Sequence, residues 1–395
     1  MNVPASLSPQ SRARLHNDKA LHVLHVIESL APGGAEQVLG NLLPCLKGLG
    51  IDAELAVLWP PYDLVDTLRA SGITVHELNI PSPWRVDRIP GLRRLIRDGG
   101  FDLVHAHLPM SVFYSAMSRG STPVVATFHG LSFEMYPPTT VAKKLRRQAE
   151  RWWTNHRIDA YIAVSDSVAE HYHETLRIPR ARIQVIPNGF PVAKLARNAL
   201  LDRGLVRARY GVGPGDFLLL HAGRLQRHKG HTYLLQALAK LDRQGLDFRA
   251  LCFGAGSLQF QIEAAIEEYG LSRRVRLHPP VSHAELAEVL QAADLFVFPS
   301  ISEGFGMAAG EAMCLGVPVI ASDLPGISSL IESGVSGLLV PPADPGCLAA
   351  AVRRLMTDDS LRARLAEGGR QRIHTHFREE IIAERIANLY RSIVT

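Results

Sequence analysis

The chain has 395 residues, a length that at roughly 100–200 residues per domain favours two domains or at most three. Hydrophobic residues make up 47% of the chain and charged residues 21%, which excludes a disordered, collagen-like or disulfide-scaffold protein. The net charge of +5 is a modest excess. Because the sequence has no recognition-helix motif, no zinc spacing and no basic sheet pattern with interleaved aromatic residues, we expect no nucleic-acid binding.

The N-terminus and the cysteines bear on localisation. Residues 1–20 are polar and lack the apolar stretch of a secretory signal, so we interpret them as a disordered tail. The apolar runs fall well short of the ~20 residues that span a bilayer. The four cysteines are far apart, which favours reduced and mostly buried thiols in a cytoplasmic protein. These cysteines are Cys45, Cys252, Cys314 and Cys347.

Short apolar, β-branched segments alternate with longer segments of helical periodicity, such as Ala35–Leu49. This alternation predicts a parallel sheet covered on both faces by helices. The predicted strands of the first half are Leu21–Ile27, Ala53–Leu58, Thr74–Leu78, Leu103–Ala106, Val124–Phe128, Ala160–Val164 and Ile183–Ile186. Those of the second half are Phe217–His221, Arg249–Phe253, Val275–Leu277, Leu295–Phe298, Pro318–Ala321 and Leu338–Val340.

The two series predict an α/β protein with two Rossmann-like domains facing each other across a cleft. Proline and glycine in Ile186-Pro-Asn-Gly-Phe-Pro-Val192 interrupt the periodicity, so we place the boundary there, between domains 21–187 and 188–378. A last helix, about residues 379–395, could cross back onto the first domain. Since ligands of open α/β sheets bind beyond the carboxyl ends of the strands, we expect the site in the cleft.

A basic loop, Gly223-Arg-Leu-Gln-Arg-His-Lys-Gly230, follows one predicted strand and precedes a helix that begins near Thr232. Two cations, Arg224 and Lys229, beside a helix N-terminus are suited to binding a phosphate or diphosphate. An ordinary basic loop would show the same residues, and that alternative stays open.

An acidic segment, Pro299-Ser-Ile-Ser-Glu-Gly-Phe-Gly-Met-Ala-Ala-Gly-Glu-Ala-Met313, also follows a strand. Its carboxylates Glu303 and Glu311 would lie about 12 Å apart if the segment were wholly helical, so they can reach a sugar at either end of an elongated ligand. Gly304 and Gly306 permit a close approach of the backbone. The alternative, acidic residues placed for the helix dipole, fits Glu311 poorly because it lies too far into the helix.

Two glycine turns and three histidines are weaker signals. The turns at Pro32-Gly-Gly-Ala-Glu36 and Gly254-Ala-Gly-Ser257 resemble phosphate-binding loops but are more often tight turns. His129, at a strand end, is placed to bond a sugar hydroxyl or a developing charge. His105 and His107 point to one side of a strand, yet no carboxylate follows at ligand spacing, which favours structural histidines over a metal pair.

The predicted helix Val141–His156 carries a basic face beside Trp152 and Trp153. This composition suits an anionic membrane surface, and an ordinary solvated face over a core stripe explains it equally. The basic residues are Lys143, Lys144, Arg146, Arg147 and Arg151.

These motifs together give the chain a family resemblance. Over nearly its whole length it resembles a family-4 retaining glycosyltransferase of the GT-B architecture. The most specific marks are Gly223-Arg-Leu before Lys229-Gly230, and Ser302-Glu-Gly-Phe-Gly306 leading to Glu311, which is the family's Glu-x7-Glu motif. Gln226-Arg-His228 and Met307-Ala308 depart from the commoner residues, so the donor stays open.

The resemblance implies how a nucleotide sugar, UDP-linked or GDP-linked, would be bound. Arg224 and Lys229 would hold the diphosphate, Glu311 the ribose, and Glu303 a hydroxyl of the transferred sugar, while His129 would match the family's cleft histidine. Further donor contacts are expected from Gly34, Gly223, Gly254, Val281, Gly304, Phe305 and Gly306.

The resemblance also implies a reaction. A hexosyl or N-acetylhexosaminyl residue would move, with retention, to a hydroxyl of a glycan or lipid-linked acceptor, in cell-envelope or exopolysaccharide synthesis. The two cations can neutralise the leaving diphosphate and no Asp-x-Asp motif is present, so we expect no cofactor and no metal. We expect a cytoplasmic protein, with attachment to the inner face of the plasma membrane left open. Two alternatives remain: a nucleotide-sugar epimerase, and a catalytically silent nucleotide- or glycan-binding module.

Overall fold

A computed structural model describes residues 20–31, 33–81, 85–131, 140–198 and 202–395. The predicted N-terminal tail, apart from Ala20, and Pro32 of the first glycine turn lie outside the described residues. The chain divides into two compact units. The first comprises the described residues up to Thr127, with Gln148–Ala160 and Ala383–Thr395; the second comprises the described residues of Phe128–Arg147 and Tyr161–Ile382. The domain limits predicted from the sequence stay a prediction.

The N-terminal half forms a seven-stranded sheet of order β3-β2-β1-β4-β5-β6-β7. Its strands are β1 Leu21–Ile27, β2 Ile51–Val57, β3 Thr74–Glu77, β4 Leu103–His107, β5 Val124–Phe128, β6 Ala160–Ala163 and β7 Ile183–Val185. The β1 strand pairs in parallel with β2 and β4, as in a doubly wound fold. All residues of β4 and β5 are buried, as expected for strands of a parallel sheet that is covered on both faces.

The C-terminal half forms a six-stranded sheet of order β10-β9-β8-β11-β12-β13. Its strands are β8 Leu218–Ala222, β9 Arg249–Phe253, β10 Val275–His278, β11 Leu295–Phe298, β12 Val319–Ser322 and β13 Leu338–Val340. All of its neighbouring strands pair in parallel. Leucine and β-branched side chains of the sheet and its covering helices form one buried core, which includes Leu219, Leu238 and Val297.

Helices connect the strands in both halves, as the alternating pattern predicts. In the N-terminal half they are α1 Gly34–Lys47, α2 Val65–Ala70, α3 Ile89–Gly99, α4 Pro109–Ser118, α5 Val141–Arg157, α6 Asp166–Leu176 and α7 Val192–Asn198. In the C-terminal half they are α8 Arg203–Arg209, α9 His231–Arg243, α10 Gln259–Glu268, α11 His283–Ala292, α12 Met307–Cys314, α13 Pro325–Ser328, α14 Pro345–Thr357, α15 Asp359–His376 and α16 Glu379–Val394. Short 3₁₀ turns occur at Val86–Arg88, Arg180–Arg182 and Arg227–Lys229.

The predicted fold class is confirmed, with two Rossmann-like parallel sheets. The predicted strand ends differ from the observed ones by up to two residues. The strand predicted at Ala53–Leu58 spans Ile51–Val57, because pairing with β1 begins at Leu21 and Ile51, ahead of the apolar run.

The thiols match the prediction in part. The four cysteines form no disulfide with one another; Cys252 and Cys314 are buried, whereas Cys45 is half-buried and Cys347 is exposed. None of the described helices combines the length and apolar character that crossing a membrane requires.

Candidate functional site

The strand order of the second sheet places two of the predicted loops side by side. Strands β8 and β11 are neighbours, and the winding of the sheet reverses direction between them. Chains leaving the carboxyl ends of two such strands diverge and leave a crevice between them, where ligands of doubly wound sheets bind. The loop after β8 carries Arg224 and Lys229, and the loop after β11 carries Glu303.

The side chains of Lys229 and Glu303 form an ion pair between these loops. Nζ of Lys229 donates to Oε2 of Glu303 over 2.6 Å, and Oγ of Ser300 donates to the same oxygen over 3.4 Å. Only 14% of the Lys229 side chain and 16% of the Glu303 side chain are exposed, so salt screens the pair weakly. Nζ also lies 5.3 Å from the centroid of the Phe298 ring, within cation–π range.

Backbone contacts hold the two loops together beneath this pair. The amide of Ile301 donates to the carbonyl of His228 over 2.8 Å. Gly230 adopts a φ of +73°, and a Cβ there would lie 1.8 Å from the carbonyl oxygen of Pro299. Only glycine fits both the left-handed backbone and this close approach. The Gly230 position therefore sets the spacing between the loop of Lys229 and the loop of Glu303.

The second predicted cation, Arg224, is exposed, and its side chain forms no hydrogen bond or ion pair among the described residues. His228 lies near both cations, and its pKa is lowered by burial and then by the positive charges of Lys229 and Arg224. The neutral imidazole therefore adds no charge to the loop near pH 7. The loop carries its positive charge on Arg224, Lys229 and the exposed Arg227.

Glu303 and Glu311 do not lie on one continuous helix. Helix α12 begins at Met307, after Gly306 turns the backbone with a φ of +96°. Glu311 lies in the second turn of the helix and is 8% exposed, and burial raises the pKa of its carboxyl to about 7. Nδ1 of His283 lies 3.9 Å from its Oε1. The two carboxylates therefore differ in environment, since Glu303 is paired with a cation and Glu311 is desolvated.

His129 lies against the loop of Glu303. A Cβ on Gly304 would be 3.0 Å from the carbonyl oxygen of His129 and 2.8 Å from Cα of Gly130, so the glycine allows the two backbones to touch. Oγ of Ser165 donates to the carbonyl of Gly304 over 2.7 Å. Burial lowers the pKa of His129 to about 4, against the opposing effect of a hydrogen bond with Asn188. His129 is therefore a neutral imidazole near pH 7.

The remaining predicted donor contacts occupy several loops. Gly254 packs so closely on the carbonyl oxygen of Gly223 that a Cβ would lie 2.0 Å from it. Val281 is half-buried in the loop before α11. Phe305 is only 2% exposed as a whole residue, and its ring stacks with that of Phe190 at a centroid distance of 6.1 Å, so its side chain packs in the core.

Two predicted features lie in the first unit. Gly34 is the first residue of α1, at the end of the loop that follows β1.

His105 and His107 are buried, and His25 of the adjacent strand joins them, with its Nδ1 3.0 Å from Nε2 of His107. The ligand atoms of the three histidines lie within 4.8 Å of one another. His105 contacts Thr127 Oγ1 at 2.6 Å and the Tyr390 hydroxyl, which is consistent with the predicted structural role.

The predicted basic helix is present as α5, Val141–Arg157. The side chains of Lys143, Lys144 and Arg146 lie outside the described residues. Val141 is 73% exposed and Trp152 is 53% exposed. A large aromatic and an aliphatic side chain thus face solvent on this helix.

Comparison with known families identifies both halves of the chain. The family described as Glycosyltransferase Family 4 matches residues 32–194, and the family described as Glycosyl transferases group 1 matches residues 202–372. The chain belongs to the family-4 glycosyltransferases. The resemblance predicted from the motifs is confirmed.

Individual family-4 glycosyltransferases align with most of the chain. D-inositol 3-phosphate glycosyltransferase 1 of Catenulispora acidiphila is 31% identical over 358 residues, 82% of each chain. Alpha-D-kanosaminyltransferase of Streptomyces kanamyceticus is 29% identical over 88% of this chain and 97% of its own. The crystal structure of Anabaena HepE in complex with UDP and glucose has a TM-score of 0.82 and 23% identity, over 94% of this chain and 100% of that chain. The structural likeness shows the shared GT-B fold.

Sequence reasoning missed several residues around the site of this glycosyltransferase. Asn188 belongs to the motif at the predicted domain boundary, to which the sequence assigns no role in the site, yet it hydrogen-bonds His129. Ser165 and Gly326 also hold the Glu303 loop, since a Cβ on Gly326 would lie 2.4 Å from the carbonyl oxygen of Glu303. No local pattern marks such contacts, because they join segments far apart in the chain.

Proposed function

We propose that the protein transfers a hexosyl or N-acetylhexosaminyl residue from a UDP-sugar or GDP-sugar to a hydroxyl of a glycan or lipid-linked acceptor, with retention and without a metal. The observation that carries the proposal is the partly buried pair of Lys229 and Glu303 at the switch point of the second sheet. A cation and a carboxylate side by side suit a diphosphate joined to a sugar. The Anabaena HepE structures in complex with UDP and with UDP-glucose support a nucleotide-sugar donor.

The donor is assigned to residues along this crevice. Arg224 and Lys229 bind the diphosphate, Glu303 accepts a hydrogen bond from a hydroxyl of the sugar, and Glu311 accepts hydrogen bonds from the ribose. The neutral His129 faces the transferred sugar. Loops of the second unit supply the other contacts, through Gly223, Gly254, Val281, Gly304, Phe305 and Gly306.

In the proposed reaction, the bond between the anomeric carbon and the diphosphate oxygen breaks while a bond to the acceptor oxygen forms on the same face. The departing phosphate oxygen takes the acceptor proton, so neither glutamate becomes a covalent nucleophile. Arg224 and Lys229 stabilise the negative charge that develops on the diphosphate. Binding of both substrates orients the reacting atoms. The cations supply the charge neutralisation that a divalent metal provides elsewhere, and the sequence has no Asp-x-Asp motif.

We propose that the acceptor is an envelope glycan or its lipid-linked precursor, and that the protein binds it at the inner face of the plasma membrane. The exposed Val141 and Trp152 on the basic helix α5 support a peripheral contact with anionic lipid. The four cysteines form no disulfide with one another, which supports a cytoplasmic site of action.

The proposal is tested by donor binding and by a substitution in the ion pair. Thermal shifts are measured with UDP, GDP and ADP and their glucose or mannose derivatives, since a ligand that binds the folded state raises the melting temperature. With the best donor, Lys229→Ala is expected to lower turnover at least a hundredfold, because it removes transition-state stabilisation of about 2.7–4 kcal/mol. Release of nucleoside diphosphate in the presence of acceptor glycolipids is the readout.

Controls separate this function from its alternatives. Arg243→Ala removes an exposed cation from the helix that follows Lys229 and should leave turnover unchanged. Conversion of the donor to a stereoisomer without acceptor would identify an epimerase. Binding with no nucleotide release for any acceptor, D-inositol 3-phosphate included, would identify a silent binding module. Near-normal turnover of Lys229→Ala would refute the assigned site.

A further inference from the structure

The ion pair between Lys229 and Glu303 means that the diphosphate-binding cation is already neutralised before any ligand binds. The two charges are 2.6 Å apart and about one-sixth exposed, so they are held in a poorly screened environment. A diphosphate must therefore compete with Glu303 for Lys229. The exposed side chain of Arg224 forms no hydrogen bond or ion pair among the described residues, so a diphosphate does not have to displace a carboxylate from it.

The outcome of that competition depends on what Glu303 gains. A partly buried carboxylate that loses its cation without a new partner is destabilised. The hydroxyls of a transferred sugar supply new donors to the carboxylate. A nucleoside diphosphate supplies none, and its terminal phosphate brings further negative charge towards Glu303.

We infer that Glu303 discriminates between the donor and the spent nucleotide, because its ion pair with Lys229 yields to a nucleotide sugar but opposes a nucleoside diphosphate without a sugar. This inference rests on the proposed function and extends it from sugar binding to product release. The pair thus weakens product binding, which helps the diphosphate to leave after transfer.

The packing around the ion pair indicates that a diphosphate has to displace Glu303 from Lys229, since a movement of the loops cannot open the pair. The backbone contacts between His228 and Ile301 and between Gly230 and Pro299 fix both loops, so the two side chains cannot separate by moving the loops apart. Ser300 Oγ, 3.4 Å from the paired oxygen, is the neighbouring donor that remains to Glu303 when Lys229 turns to a phosphate. One neutral hydroxyl does not replace a cation.

The test is the ratio of two dissociation constants in Glu303→Gln. Isothermal titration calorimetry first measures how the wild-type protein binds three ligand pairs: UDP and UDP-glucose, GDP and GDP-mannose, and ADP and ADP-glucose. The pair that binds is then titrated into the variants. Glu303→Gln keeps the shape but removes the charge, so it should bind the nucleoside diphosphate at least tenfold more tightly. It should bind the nucleotide sugar no more tightly than the wild type does.

Two further variants give the matched comparison. Glu311→Gln is expected to change both affinities by a similar factor, because both ligands carry the ribose that we assign to Glu311. Glu303→Asp retains a charge near Lys229 and should keep the wild-type preference against the nucleoside diphosphate. Product inhibition of transfer should be stronger in Glu303→Gln than in either of these variants.

The possible failures are distinguishable. If the wild type binds none of the three pairs, the proposed function falls and this inference with it. If the wild type binds a pair but Glu303→Gln shifts both constants equally, or weakens the nucleoside diphosphate, the inference alone is overturned.

Discussion

At the scale of single residues, the same chemical group behaves differently according to its surroundings. Glu303 is paired with Lys229, whereas Glu311 is desolvated in α12 and has a pKa raised to about 7. The imidazole of His129 is desolvated too, and its pKa falls to about 4, because burial disfavours whichever form is charged. The sequence shows two glutamates eight residues apart, and only their burial tells them apart.

The raised pKa of Glu311 predicts how stability changes with pH. The pKa of this carboxyl rises from its usual 4.5 to about 7, so the folded protein holds a proton that the unfolded chain has released between these values. The free energy of unfolding should therefore fall as pH rises from about 4.5 to about 7. Glu311→Gln has no carboxyl to ionise, so at pH 8 its free energy of unfolding should exceed that of the wild type by about 1–3 kcal/mol.

Urea denaturation at pH 4.5 and pH 8 measures this effect. The gain of Glu311→Gln should be present at pH 8 and absent at the lower pH. Glu267→Gln, a change at an exposed carboxylate of α10, should leave the pH dependence as it is. Equal gains at both pH values would show that Glu311 ionises freely in the folded protein.

At the scale of elements, the site depends on how loops pack at the carboxyl ends of the strands. Gly230, Gly254 and Gly304 each lie where a Cβ would meet the backbone of another loop, at 1.8 Å, 2.0 Å and 2.8 Å. We predicted that glycines of these loops would face a ligand. The structure shows that these three also pack loop against loop, which holds the charged side chains in place.

Helix α5 is the proposed membrane contact of the protein. Trp152 is 53% exposed on a helix with a basic sequence, so it should insert at the surface of an anionic bilayer. The protein is expected to sediment with phosphatidylglycerol vesicles at low salt, and Trp152→Ser should reduce the bound fraction several-fold.

The exposed aromatic Phe260 of α10 provides the control. It is 82% exposed, and Phe260→Ser should leave vesicle binding unchanged if α5 is the contact. Absence of binding to anionic vesicles at low salt, or equal losses in both variants, would remove the membrane proposal and leave α5 as an ordinary solvated helix.

At the scale of the whole molecule, hydrogen bonds connect the last helix of the chain, α16, to the N-terminal sheet region of the first unit. Tyr390 of α16 is buried and its hydroxyl hydrogen-bonds the ring of His105 in β4. Arg391 adds a bond of 2.7 Å to the carbonyl of Leu49. The last helix is thus held by directional contacts as well as by apolar burial.

Removing the Tyr390 hydroxyl should weaken this connection. Tyr390→Phe removes the buried hydrogen bond between the Tyr390 hydroxyl and His105, so it should lower the free energy of unfolding by about 1–3 kcal/mol. Tyr114 is a matched control, because its hydroxyl is buried without a hydrogen-bond partner among the described residues. Tyr114→Phe should be neutral or stabilising; a similar loss in both variants in urea denaturation would contradict the role assigned to the His105 bond.

The sequence alone determined the α/β class, the parallel winding and the loops that carry Arg224, Lys229, Glu303 and Glu311. These features follow from local periodicity and from residue types next to strand ends, which need no knowledge of distant contacts. The tertiary structure decided that Lys229 is paired with Glu303, that Glu311 is desolvated, and that His25 and Tyr390 complete the histidine cluster. Such pairings depend on which strands become neighbours and how deeply each side chain is buried, and both arise only when segments far apart in the chain pack together.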